Sequence, residues 1–166
     1  DGTLDLSNLD ELISTNTKIV SLTHMSNVLG TINPIKQIIE KANKAGALSV
    51  IDGAQGAPHL PVDVIDLDVD LYAFSAHKML GPTGVGVLYG KEKILSAMSP
   101  FLGGGEMIDE VYEDRFTTKE APWKFEAGTP NFADVAAFGV AIDYLVDIGM
   151  DNVRKHEIDI TQYALD

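Results

Sequence analysis

Short apolar runs that end in polar or glycine-rich turns alternate along this chain with stretches whose apolar residues recur every three or four positions, a pattern that predicts strands and helices in turn. Lys18-Ile19-Val20-Ser21-Leu22-Thr23 reads as a buried strand that empties into His24-Met25-Ser26-Asn27-Val28-Leu29-Gly30. Pro34 suits the first turn of a helix, Ile35, Ile38, Ile39 and Ala42 form its apolar stripe, and Gly46 ends it. A second strand follows from Ala47 to Ile51. Strand, helix and strand are thus complete within about forty residues, the scale of a right-handed βαβ unit, so a parallel sheet is expected.

A connecting stretch from Ala54 to Asp70 carries Pro58, Pro61 and several Asp residues, read as a solvated face from Asp63 onward. Leu71-Tyr72-Ala73-Phe74 then forms a strand that stops at Ser75-Ala76-His77-Lys78 and gives way to Met79-Leu80-Gly81-Pro82-Thr83-Gly84. The strand from Val85 to Gly90 follows so closely that antiparallel pairing is expected. Elsewhere the pattern predicts a short helix around Leu9 and Leu12 capped by Ser7, and another from Lys91 to Met98. A loop is expected at Gly103-Gly104-Gly105, with no clear periodicity from Asp109 to Glu120. A long helix is predicted from Phe132 to Ile148, stopped by Gly149, and a last one capped by Asp151. The fold class is α/β, a mostly parallel sheet with flanking helices.

Composition narrows the function. The 166 residues are 45% hydrophobic, enough for one domain with a sizeable core. A net charge of -13, with only 12 Lys and Arg, argues against a nucleic-acid partner, because phosphate backbones reward clustered cations. No apolar run is long enough to span a bilayer and no signal-peptide pattern opens the chain, so no membrane association and a cytoplasmic location are expected. With no cysteine, these residues hold no disulfide, thiolate metal site or nucleophilic thiol. A start at Asp1-Gly2-Thr3 and an end in apparent mid-helix are expected of a segment from a longer protein.

In open α/β sheets ligands bind beyond the carboxyl ends of the parallel strands, where Asn27, Asp52, Gln55, Ser75, His77 and Lys78 all fall. A lysine that forms a Schiff base must lose its proton near neutral pH, which burial or a neighbouring positive charge promotes. An Asp opposite it favours a protonated pyridine nitrogen, the pairing that proteins supply to pyridoxal phosphate. Ser75 and His77 are placed to donate to a phosphate while Lys78 points at the aldehyde. His24, His59, His77 and His156 lack paired metal-ligand spacing, and His24 and His59 read as structural or rim residues. The glycine-rich turn after Lys78 lacks the Gly-Lys-Ser/Thr ending of a P-loop and precedes a strand, so it positions Lys78 instead. Trp123, beside Gly128-Thr129, reads as an interface residue.

Five ordered motifs carry a family likeness: Asn27-Val28-Leu29-Gly30; Asp52-Gly53-Ala54-Gln55; Ser75-Ala76-His77-Lys78 with the turn and strand to Gly90; Gly104-Gly105-Glu106-Met107-Ile108; and Phe125-Glu126-Ala127-Gly128-Thr129-Pro130. Together they resemble the class V aminotransferase family, and within it the SufS-type cysteine desulfurases. The resemblance implies the large domain of a fold-type-I enzyme using pyridoxal 5′-phosphate (PLP), with residues 1–149 in that domain and 150–166 starting a helix toward a small C-terminal domain. It implies that Lys78 binds the cofactor covalently, Asp52 pairs with the pyridine nitrogen, Gln55 contacts the phenolic oxygen, Ser75 and His77 hold the phosphate, and Asn27 lies near the ring. Thr129 is implied to reach across a homodimer to the second cofactor's phosphate. The implied substrate is L-cysteine, converted to L-alanine with persulfide passed to a SufE- or SufU-type acceptor for iron-sulfur cluster assembly. The family's ring-stacking His lies upstream of these residues, and its nucleophilic Cys and carboxylate-gripping Arg lie downstream. Selenocysteine lyase, another class V lyase or aminotransferase, and a non-catalytic binding or dimerisation module remain alternatives.

Overall fold

The computed structural model describes residues 2–166. A four-stranded sheet is its centre, with strands β1 (Ile19–Thr23), β2 (Leu48–Asp52), β3 (Leu71–Ser75) and β4 (Gly86–Gly90) lying in sequence order. The first three run parallel and β4 returns antiparallel to β3, as the connection lengths require. Helix α1 (Leu9–Leu12) precedes β1, and α2 (Ile35–Ala45) makes the βαβ crossover to β2. Ile35, Ile38, Ile39 and Ala42 of α2 are buried, and Gly46 caps it in the left-handed conformation at φ 75. Ile35 and Ile39 join Ile51, Val69 and Tyr72 in the core on one face of the sheet. Short helices α3 (Gly56–His59) and α4 (Glu92–Ala97) follow β2 and β4. The long α5 (Phe132–Ile148) packs through Phe138 and Leu145, and α6 (Met150–Leu165) turns off Gly149 at φ 84. Among the described residues no helix is long and apolar enough to cross a membrane.

Several local expectations change. Asn8, not Ser7, holds the N-cap position of α1 and makes no side-chain cap bond, while the Ser7 amide donates to Asp5 Oδ1 at 2.9 Å. Pro34 stands one residue before α2 rather than in its first turn. Asp151 lies inside the first turn of α6, whose N-cap position is Gly149. The stretch without periodicity contains a hairpin, β5 (Ile108–Val111) paired antiparallel with β6 (Phe116–Thr118) through an irregular register that erases the strict alternation sequence reading relies on. Asp70 is buried rather than solvated: its Oδ2 accepts from the Ser49 amide at 2.9 Å and the Ser49 hydroxyl at 3.2 Å, and its Oδ1 pairs with Lys91 at 2.9 Å.

Candidate functional site

The strand register sets a row of side chains. Thr23, Asp52 and Ala73 are direct partners across β1, β2 and β3, so their side chains share one face of the sheet, and Ser75, two residues past Ala73, shares it too. Leu22, Ile51 and Tyr72 point to the other face and join the core there. Thr23, Asp52 and Ala73 are exposed and Ser75 half-buried. The site row is therefore the open face of a sheet whose opposite face is packed, and its small side chains at Thr23 and Ala73 leave space beside the Asp52 carboxylate.

Asp52 ends β2 under firm backbone control. Its carbonyl accepts from the His24 amide at 2.8 Å, and the next amide, Gly53, donates to Ala73 at 2.7 Å, so both neighbouring strands hold the turn. Oδ1 accepts from the Ala54 amide at 2.9 Å, and Oδ2 has no hydrogen-bond partner among the described residues. Gln55, half-buried, occupies the N-cap position of α3 without a side-chain cap bond. Asn27 is exposed in the loop leaving β1, which closes through Ser26 and Thr31 and puts Ser26 Oγ under the amides of Val28 and Leu29, both at 3.2 Å.

Beyond Ser75 the chain makes a single 3-10 turn, Ala76–Lys78. Ala76 is fully buried; its amide donates to Val85 at 3.0 Å and its carbonyl receives Met79 at 2.8 Å and Gly81 at 2.9 Å. Gly81 is required there, since a Cβ would stand 2.7 Å from the Phe138 ring and 2.9 Å from that carbonyl. His77 and Lys78 are exposed, and Lys78 Nζ has no ion-pair or hydrogen-bond partner among the described residues. The burial expected around a Schiff-base lysine is not supplied by these residues.

Thr129 is exposed on a separate segment. It follows Gly128, which has φ 82 and donates its amide to Gly105 at 2.9 Å. Gly128 and Pro130 line a cleft of about 680 Å³ with Glu106, Trp123 and Val135, and neither Asp52 nor Lys78 contributes to its walls. Trp123 is 63% exposed there. The structure thus gathers Asp52, Gln55, Ser75, His77 and Lys78 at the carboxyl ends of β2 and β3, with Asn27 leaving the adjacent β1, and keeps Thr129 apart from them.

Two groups near the site carried no functional signal in the sequence. His24 and Tyr72 are both buried, with His24 Nδ1 and the Tyr72 hydroxyl 2.9 Å apart. Burial lowers the His24 imidazole from its ordinary range, while burial and then the Asp52 charge push the Tyr72 phenol far above its own. Lys124 is buried as well, its Nζ donating to the last carbonyls of α4, Ser96 at 3.0 Å and Leu95 at 3.2 Å, which anchors the segment that leads to Gly128. The periodicity that marks a core face records that such residues are inside and is silent on what they touch.

Comparison with known proteins adds four findings. The sequence model of the family described as Aminotransferase class-V matches residues 1–166. A probable cysteine desulfurase of Halalkalibacterium halodurans is 55% identical over 166 residues, which are 100% of this chain and 41% of that protein. The crystal structure of the Escherichia coli cysteine desulfurase CsdA superposes with a TM-score of 0.86 at 51% identity, covering 89% of this chain and 37% of that one. A mutant of C-DES, with glycine covalently linked to its PLP cofactor, superposes with a TM-score of 0.78 at 27% identity, covering 89% of this chain and 40% of that one. The chain spans well under half the length of these proteins.

Proposed function

This chain belongs to the class-V aminotransferase family, and from that premise we propose that it forms most of the PLP-binding large domain of a cysteine desulfurase. Residues 1–149 make up that domain and 150–166 lead toward a small C-terminal domain. The observation that carries the reading is the alignment of Asp52 and Ser75 on one open sheet face, with Lys78 one tight turn beyond and both Asp52 Oδ2 and Lys78 Nζ unpartnered among the described residues. The donor set fits the group: an acid for a ring nitrogen, an amine for an aldehyde, and a hydroxyl and an imidazole for a phosphate, beside small residues that leave room for a flat ring. When bound, PLP supplies an electron sink for charge developing at the substrate's α-carbon.

The chain's residues do the rest. Asp52 Oδ2 holds the proton on the ring nitrogen, and the Gln55 amide donates to the phenolic oxygen. Ser75 and His77 donate to the phosphate, and Asn27 flanks the ring. Lys78 Nζ would hold the cofactor through its aldehyde, and as a free amine would carry protons as a general acid and base. Thr129 donates across a homodimer to the second subunit's phosphate. The substrate is L-cysteine, left as L-alanine; the sulfur passes to a cysteine outside these residues, which contain none, and on to a SufE- or SufU-type acceptor for iron-sulfur cluster assembly in the cytoplasm. The names of the relatives support cysteine as the substrate. In the full-length protein loaded with PLP, borohydride should trap the cofactor on Lys78 and alanine should form from cysteine. Lys78→Ala should abolish both, and a trapped adduct or alanine formation surviving in that variant would overturn the assignment.

A further inference from the structure

The open face of the sheet carries Asp52, and directly behind it on the packed face lies the His24–Tyr72 pair. Tyr72 is 1% exposed and His24 8%, and the 2.9 Å contact between them is the only side-chain hydrogen bond either makes among the described residues. The turn that follows Asp52 rests on this pair at two points. A Cβ at Gly53 would fall 1.9 Å from the Tyr72 ring, and a Cβ at Gly56 would fall 2.5 Å from His24 Nδ1 and 2.7 Å from the Tyr72 hydroxyl. Two glycines therefore let the backbone of the Asp52–Gly56 turn settle onto the ring edge, the hydroxyl and the imidazole. The same histidine also donates its amide to the Asp52 carbonyl at 2.8 Å. Lateral hydrogen bonds fix the ends of this turn, whereas its height above the sheet is set by what lies underneath.

We propose that His24 and Tyr72 are positioning residues, a buried hydrogen-bonded floor that fixes the Asp52–Gly56 turn and so holds the Asp52 carboxylate and Gln55 at the height that cofactor binding needs. Neither touches the cofactor; both act through the turn. The proposal rests on the assignment of Asp52 and Gln55 as cofactor contacts. Removing a hydrogen bond that supports a binding group typically weakens the site about ten-fold or more, as second-layer partners of metal ligands do. Tyr72→Phe keeps the ring beneath Gly53 and deletes only the hydroxyl, so the core stays filled while the His24 contact is lost.

The test uses the full-length protein, with PLP removed and titrated back while the visible absorbance of the lysine-bound cofactor is followed well below the unfolding temperature. Tyr72→Phe and His24→Gln should each raise the PLP dissociation constant about ten-fold and alter that band. Ser49→Ala, which deletes a buried hydroxyl paired with Asp70 near the opposite end of the strands, serves as the control for stability loss alone. It should leave affinity and band unchanged even where its unfolding temperature falls as far. Wild-type affinity and spectrum in both Tyr72→Phe and His24→Gln, or equal weakening in Ser49→Ala, would overturn the proposal. Failure of the wild-type protein to form a borohydride-trapped adduct at Lys78 would instead remove the underlying cofactor assignment.

Discussion

Gly53→Ala is the sharpest test of the packing beneath the site. The added methyl would stand 1.9, 2.2 and 2.5 Å from three atoms of the Tyr72 side chain, all well inside the separation of about 3.5–4.0 Å at which carbon atoms attract. Neither side yields easily. Tyr72 is fixed in the core against Ile51, Ile39 and Val69, and Gly53 is fixed by its 2.7 Å bond to Ala73. Overpacking of this kind costs about 1–3 kcal/mol, and since the clash is with a rigid ring the upper end, about 3 kcal/mol, is expected. Urea unfolding of the wild-type and variant proteins measures it. Gly139→Ala supplies the contrast: its Cβ meets nothing within 4 Å in the middle of α5, so it should stabilise by about 0.5–1 kcal/mol. In a Tyr72→Ala background the obstructing ring is gone, and the Gly53→Ala penalty should shrink to below about 0.5 kcal/mol, a coupling that a double-mutant cycle reads directly. A Gly53→Ala variant as stable as wild type, or one equally destabilised with and without the Tyr72 ring, would refute the reasoning.

Two further outcomes follow from buried polar groups. Asp70→Ala removes the acceptor for the Ser49 amide and hydroxyl and one of the two carboxylates that hold Lys91, so unfolding free energy should fall by about 3 kcal/mol; a loss under about 1 kcal/mol would mean water replaces the carboxylate freely. Burial lowers the folded-state His24 value below the unfolded value of about 6.5, so the unfolded chain binds the proton first as pH falls. The stability this neutral histidine contributes is present above that pH and is lost as the pH drops from there through the lower folded value. The melting temperature should decline over that interval, and His24→Gln should flatten the decline; an identical slope in the variant would rule His24 out as its source.

Much of this molecule was legible before any coordinates. The apolar stripe of α2 and the glycine that ends it are local facts written in period and backbone conformation, as is the βαβ length scale that makes β1 and β2 parallel. The placement of Asn27, Asp52, Gln55, Ser75, His77 and Lys78 at one sheet edge was legible because each ends or follows an apolar strand and parallel topology collects strand ends there, a mark that Thr129 on its separate segment lacks. Their assigned chemistry came from ordered motifs, which periodicity alone would not have supplied. The hairpin from Ile108 to Thr118 was not legible, because its irregular register breaks the alternation that would reveal it. Asp70 was misread for a related reason: a carboxylate among other carboxylates looks solvated until the fold sets a Ser49 amide and Lys91 beside it.

The sequence by itself determined the strands and helices whose apolar period is regular and the polar groups that stand at their ends, since both depend on neighbours a few residues away. Only the tertiary structure decided that Asp52 and Ser75 share one open face, that Ala73 and Thr23 keep that face low, and that His24 and Tyr72 meet behind it. Residues 48 positions apart come together because the strand register aligns them, and register is fixed by the summed packing of a whole sheet face, which no single segment encodes.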